Sequence, residues 1–279
     1  MINDVRGRID YDEFGTGPTV VLLPGSCSTS AVWRPVIAAW DNRFRCVTTS
    51  LLGYGGTAER RARESSMAHE TDAVEAVIRR AGGRVHLVGH SFGGLVALAV
   101  ALRGQAPLAS LTVLEAPAGE FLREGGEHRH YEAFLRMKDA YFAAFEAGDR
   151  EAIATMIDFY SGPGTFASWP ERVRAYAVET TPVNILDWAS AYDSRLSLAA
   201  LAAIDIPLLV LWGGASHPAM QRANALIGEC VRGAARAMIE GAAHFMLGTH
   251  PASVAHLIGR HVDAAEARAP RDRSNIAYA

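Results

Sequence analysis

The chain has 279 residues, 49% hydrophobic and 20% charged, with 27 basic against 30 acidic side chains and a net charge of −3. That length supports one large core or two smaller ones. The balanced charge, with no Lys/Arg block, leaves no electrostatic footprint for a phosphate backbone or an anionic bilayer, so neither a nucleic-acid nor a membrane partner is expected. Cys27, Cys46 and Cys230 stand at unrelated spacings that indicate neither a disulfide framework nor a zinc site, and no metal or cofactor is expected. Acids at Asp4, Asp10, Asp12 and Glu13, no apolar leader and no apolar run near the roughly 20 residues of a membrane span point to a soluble, cytoplasmic protein. Nothing in the sequence specifies an oligomeric state.

In chain order, residues 8–14 followed by Gly15-Thr16-Gly17-Pro18 read as a hairpin strand and its turn. Strands are expected over 19–23, 45–49, 85–88, 111–114, 208–212 and 237–240. Helices are expected over 31–40, 67–80, 93–103, 218–228 and 251–266. Several strands are apolar at consecutive positions, as strands covered on both faces are. The alternation implies an α/β fold with a mostly parallel central sheet and helices on both faces. Between 119 and 195 it stops: helical patterns over 127–147, 150–160, 171–179 and 183–192, broken at Ser161-Gly162-Pro163-Gly164, read as an inserted helical cap. Residues 1–118 and 196–279 would then form the core domain, with 268–279 a frayed polar tail. The 77-residue insertion holds 13 of the 23 aromatic residues. The helical spacing of Tyr131, Phe134, Tyr141, Phe142 and Phe145 makes packing against the core the default reading, with part of the apolar surface facing whatever lies beneath.

The strongest local signal is Gly89-His90-Ser91-Phe92-Gly93-Gly94, after the apolar run Val85-His86-Leu87-Val88 and before the helical Leu95-Val96-Ala97-Leu98-Ala99. A serine on a tight strand-to-helix turn is held out at the sheet edge, and the flanking glycines remove side chains that would collide there. The Phe92 amide is left free to donate at the helix N-terminus. A serine hydroxyl needs a base within reach. Of the ten histidines, His244 stands in a small-residue loop just past the last strand, where an imidazole can meet Ser91; His250 and His217 are the runners-up. His86, mid-strand, reads as a core residue.

With these residues in place the chain resembles the α/β-hydrolase fold family from about residue 8 to 262. Val20-Val21-Leu22-Leu23-Pro24-Gly25 resembles its strand and oxyanion loop, Leu52-Gly53-Tyr54-Gly55 its glycine-rich turn, and Gly241-Ala242-Ala243-His244 its histidine loop. The resemblance implies an oxyanion hole formed by the amides of Phe92 and Ser26. Family members usually carry an Asp shortly after the strand matched by 208–213, yet here Gly214-Ala215-Ser216-His217-Pro218 follows, with no carboxylate before Glu229. Glu115 ends the strand beside the elbow, and some relatives, certain haloalkane dehalogenases among them, resemble this chain in carrying the acid there. Glu115 is therefore the expected partner of His244, ahead of Asp205 and Glu240.

The expected activity is serine hydrolysis of a carboxylic ester bearing an apolar acyl or aryl group, a small-molecule substrate held by Trp169, Phe142 and Phe245. Two other readings use the same residues. Related enzymes hydrolyse a carbon–carbon bond in vinylogous diketones, although they usually follow the histidine with Trp, where this chain has Phe245. A ligand-binding protein on the same fold is the non-enzymatic reading. Dehalogenation and epoxide opening need a carboxylate at position 91.

Overall fold

The computed structural model describes residues 1–4, 6–61, 65–194 and 196–268. A seven-stranded sheet runs in the order β3 (Asp12–Phe14), β5 (Arg45–Thr48), β4 (Thr19–Leu23), β6 (Val85–His90), β7 (Leu108–Leu114), β8 (Leu208–Gly213) and β9 (Ala235–Ile239). All neighbours are parallel except β3, which pairs antiparallel with β5.

Consecutive apolar residues on these strands serve two layers, because successive side chains leave opposite faces. Val21, Leu23, Leu87, Leu111, Val113, Leu208 and Val210 face one apolar cluster, together with α2 (Met67–Ala81), α3 (Phe92–Arg103) and α11 (Pro218–Cys230). Val20, Leu22, Val88, Leu114, Leu209 and Leu211 face the other, covered by α1 (Arg34–Ala39) and α13 (Pro251–Arg268). β4 is flanked by β5 on one side and β6 on the other. Chain direction across the sheet thus reverses at β4, and the loops leaving β4 and β6 diverge to open a crevice at their C-terminal ends.

Between β7 and β8 the expected insertion is helical among the described residues: α4 (Gly119–Glu124), α5 (His128–Glu146), α6 (Ile153–Ser161), α7 (Thr165–Ser168), α8 (Glu171–Glu179) and α9 (Thr181–Tyr192). Its Phe134, Tyr141, Tyr160 and Trp188 join the same apolar cluster as Leu87, Phe92 and Leu95. Its expected end at Arg195 and the expected tail beyond Arg268 lie outside the described residues.

The hairpin expected from residues 8–18 does not form. β2 (Gly7–Ile9) pairs with β1 (Ile2–Asp4), while β3 and β4 lie on opposite sides of β5. Gly15 takes φ +74°, and a Cβ there would meet the Phe44 carbonyl oxygen at 2.4 Å, so the Gly-Thr-Gly stretch is a crossing over β5 rather than a hairpin turn. The helix expected over 31–40 divides into a 3-10 turn at Ser30–Trp33 and α1, because Pro35 in the first turn lacks an amide to continue from the preceding turn. No described helix is long and apolar enough to cross a membrane.

Candidate active site

β6 passes into α3 through Ser91, whose backbone sits at φ 55° and ψ −127°. That conformation is strained for a residue with a side chain. The chain is pinched there: a Cβ on Gly89 would meet the Gly93 carbonyl oxygen at 2.2 Å, and one on Gly93 would meet the Pro24 oxygen at 2.3 Å. Only glycine fits at either position.

His244 Nε2 lies 2.9 Å from Ser91 Oγ, and His244 Nδ1 lies 3.2 Å from Glu115 Oε2. All three residues are buried. Glu115 directly follows β7, also with positive φ (52°), and its Oε1 accepts from the Gly213 amide at 2.6 Å and Ser216 Oγ at 2.7 Å. With Oε1 so engaged, Oε2 is left to the imidazole. A carboxylate on Nδ1 favours the tautomer with the proton there and leaves Nε2 as the acceptor for the serine hydroxyl. Such an arrangement can take a proton from Ser91 and hold the resulting imidazolium beside a negative charge.

The imidazole is held on other sides too. His90 Nε2 donates to the His244 carbonyl at 2.8 Å, and burial pushes the His90 pKa down to about 3, so it stays neutral. The Tyr160 ring of α6 stacks on His244 with centroids 4.6 Å apart and planes 26° apart.

The loop after β4 runs against Ser91: a Cβ on Gly25 would lie 2.8 Å from Ser91 Cβ. Neither the Ser26 nor the Phe92 amide has an acceptor among the described residues. Ser26 and Phe92 both line a cavity of about 360 Å³, with Ser91 and His244 in its wall. The remaining wall is largely apolar and includes Leu95, Phe134, Ile157, Trp188 and Tyr192. Of the large hydrophobic lining residues, Tyr192 and Val173 are exposed, at 44% and 41%.

Of the residues expected to hold substrate, Trp169 and Phe245 line this cavity and touch edge to face at 4.7 Å. Phe142 does not. It faces Trp188 and Tyr141 at 6.0 and 5.6 Å, because its turn of α5 packs into the insertion's own interior. The other candidate histidines are occupied elsewhere: His217 caps α11 through Nδ1 and stacks on Phe159, and His250 contacts Thr249. Asp205 is exposed ahead of β8, and Glu240, expected inside the last strand, is exposed just past it.

Three residues near the site are not assigned to it from sequence. Tyr160 is described above; Asp187 of α9 accepts from Ser26 Oγ, and Asn224 of α11 bonds the backbone beside Glu115. Tyr160, Asp187 and Asn224 lie on helices, and no local sequence signal singles out the partners they meet.

Residues 20–257 match the model of the alpha/beta hydrolase family, and the chain belongs to that family. It is 34% identical over 102 residues to haloalkane dehalogenase 2 of Mycobacterium tuberculosis, covering 35% of this chain and 34% of that protein. It is also 34% identical over 110 residues to a pimeloyl-acyl-carrier-protein methyl ester esterase of Aeromonas hydrophila, covering 39% of this chain and 42% of that protein. The chain thus matches well under half the length of these two curated relatives. Among solved structures, an esterase from Exiguobacterium antarcticum superposes with a TM-score of 0.73 at 18% identity, covering 94% of this chain and 98% of that one. At that identity the likeness concerns the fold.

Proposed function

We propose that the protein is a serine hydrolase that cleaves carboxylic esters with an apolar acyl or aryl group through an acyl-enzyme. The observation that carries this reading is the unbroken hydrogen-bonded series Ser91–His244–Glu115 in the wall of a largely apolar cavity. Ser91 Oγ attacks the ester carbonyl while His244 Nε2 takes its proton. The amides of Phe92 and Ser26 stabilise the oxyanion, the imidazolium returns the proton to the leaving alcohol, and Glu115 balances its charge. Water, deprotonated by the same imidazole, then releases the acid.

The helices over 119–195 act as the cap over this reaction, and Trp169 and Phe245 contact the apolar part of the substrate. Burying apolar surface against such a wall contributes about 25 cal/mol per Å². Ser91 in place of a carboxylate separates this chain from dehalogenase chemistry. The unpaired Cys27, Cys46 and Cys230 support a cytoplasmic setting.

The test is turnover of p-nitrophenyl esters of graded acyl length, with fluorophosphonate labelling of the protein. Ser91→Ala is expected to lose on the order of 10⁴ or more in kcat and all labelling. Ester turnover that survives Ser91→Ala would refute the assignment.

A further inference from the structure

Ser26 is the one proposed oxyanion donor that does not belong to the elbow; within its loop Ser28 Oγ donates to the Gly25 carbonyl at 2.8 Å, which leaves the Ser26 side chain to a partner outside the loop. Pro24 contributes no amide, and Cys27 takes φ 55°, a left-handed conformation unfavourable for a side chain. What fixes Ser26 comes from the insertion. Its hydroxyl donates to Asp187 Oδ2 at 2.5 Å, and the same oxygen accepts from Tyr54 OH at 2.6 Å. Asp187 Oδ1 accepts from Arg61 Nη1 at 2.6 Å.

Asp187 and Arg61 are buried, and Arg61 is itself held by Glu59 Oε2 at 2.8 Å and the Leu52 carbonyl at 2.9 Å. One helical turn beyond Asp187, Ser190 Oγ meets Ser65 Oγ at 2.7 Å. The carboxylate is therefore anchored from two core loops, and a buried charge held by three donors has one favourable position.

We propose that Asp187 is a positioning residue of the insertion: through the Ser26 hydroxyl it orients the Ser26 amide toward the oxyanion and makes catalytic competence depend on seating of α9. This rests on the ester-hydrolase reading. A donor acts on a transition state only if it is aimed before charge develops, so loosening it lowers kcat more than it raises KM.

The test is a double-mutant cycle on the full chain with Ser26→Ala, Asp187→Asn and their combination. It reads kcat and KM for a p-nitrophenyl ester, the rate of fluorophosphonate labelling, and Tm. Ser26→Ala keeps the amide and leaves Asp187 with Tyr54 and Arg61, so it isolates the link even where Asp187→Asn disturbs folding. The expected result is about a tenfold fall in kcat and in labelling rate for Ser26→Ala, with KM within about twofold and Tm within about 2 °C. The double variant is expected to be no slower than the slower single variant. Wild-type kcat in Ser26→Ala, or losses that multiply in the double variant, overturns the inference while leaving the hydrolase reading intact. A wild-type protein that neither turns over esters nor takes the label overturns both.

Discussion

Among the described residues, three non-glycine residues with positive φ, Cys27, Ser91 and Glu115, lie in or beside the candidate site; the other two, Asp41 and Asn42, adjoin each other in the turn before β5. Strained backbone persists where surrounding structure over-determines it, and each of the three is held by contacts from other elements. Geometry between three side chains is not sufficient by itself. A second serine–histidine–glutamate series exists, with Ser110 Oγ 2.8 Å from His86 Nδ1 and His86 Nε2 3.2 Å from Glu266 Oε1. Ser110, however, lies within β7, 1% exposed and away from the cavity. A hydroxyl without access or a neighbouring oxyanion donor cannot attack a substrate. Ser110→Ala is expected to keep wild-type kcat per folded molecule, whereas Glu115→Gln is expected to fold and lose most of it. Circular dichroism alongside ester kinetics checks both, and a Glu115→Gln protein with undiminished kcat would remove the carboxylate from the mechanism.

At the scale of elements, α11 does for Glu115 what α9 does for Ser26. Asn224, fully buried, accepts from the Ala116 amide at 2.9 Å and donates to the Ala116 carbonyl at 3.1 Å, standing in for the next strand's ladder just where β7 has ended. The Ala116 carbonyl also accepts from the Ala118 amide at 2.8 Å, so Asn224→Ala strands the Ala116 amide alone, at about 1–3 kcal/mol; the urea midpoint is expected to fall and kcat with it as Glu115 shifts. An Asn224→Ala protein with wild-type midpoint and kcat would show that the contact is dispensable.

The elements themselves were legible because their signals are local. Val20–Leu23 and Leu208–Leu211 are apolar on both faces; the helix at Met67 follows the cap Ser66, and the helix at Pro218 opens on its proline. Ser91, His244 and Glu115, whose side chains meet, could be named as candidates from sequence because a position just past a strand end limits what can meet. Asp187 and Asn224 could not: they lie within helices, where position in the sequence does not single out the partner they meet. The pairing of β3 with β5 was hidden for the same reason, since adjacency in sequence favours β4 as its neighbour.

Across the whole molecule, two buried groups oppose each other in pH. Glu70, facing Arg61 in a cluster of three carboxylates around that single cation, is pushed up to about 8 by burial. The folded chain binds its proton more tightly than the unfolded chain, so this stabilisation is complete below about 4.5 and is lost as pH rises through about 8. His90, pushed down to about 3, contributes fully above about 6.5 and loses its contribution as pH falls through about 3. Together they predict a plateau in Tm between about pH 4.5 and 6.5, where the slopes cancel, and a decline on either side. Glu70→Gln is expected to remove the alkaline decline, as scanning calorimetry from pH 4 to 9 would show. An alkaline decline of unchanged steepness in that variant would mean Glu70 is not its source.

The helical insertion enters the chain after Glu115, not before it. Ser91 and Glu115, the proposed nucleophile and its proposed acid, therefore follow two successive strands of one continuous stretch, 24 positions apart. Exchanging the intervening helices for another set would refashion substrate choice without separating that pair. A transplanted roof would still have to bring its own acidic tether for Ser26, and chimaeras lacking one would bind well and react slowly.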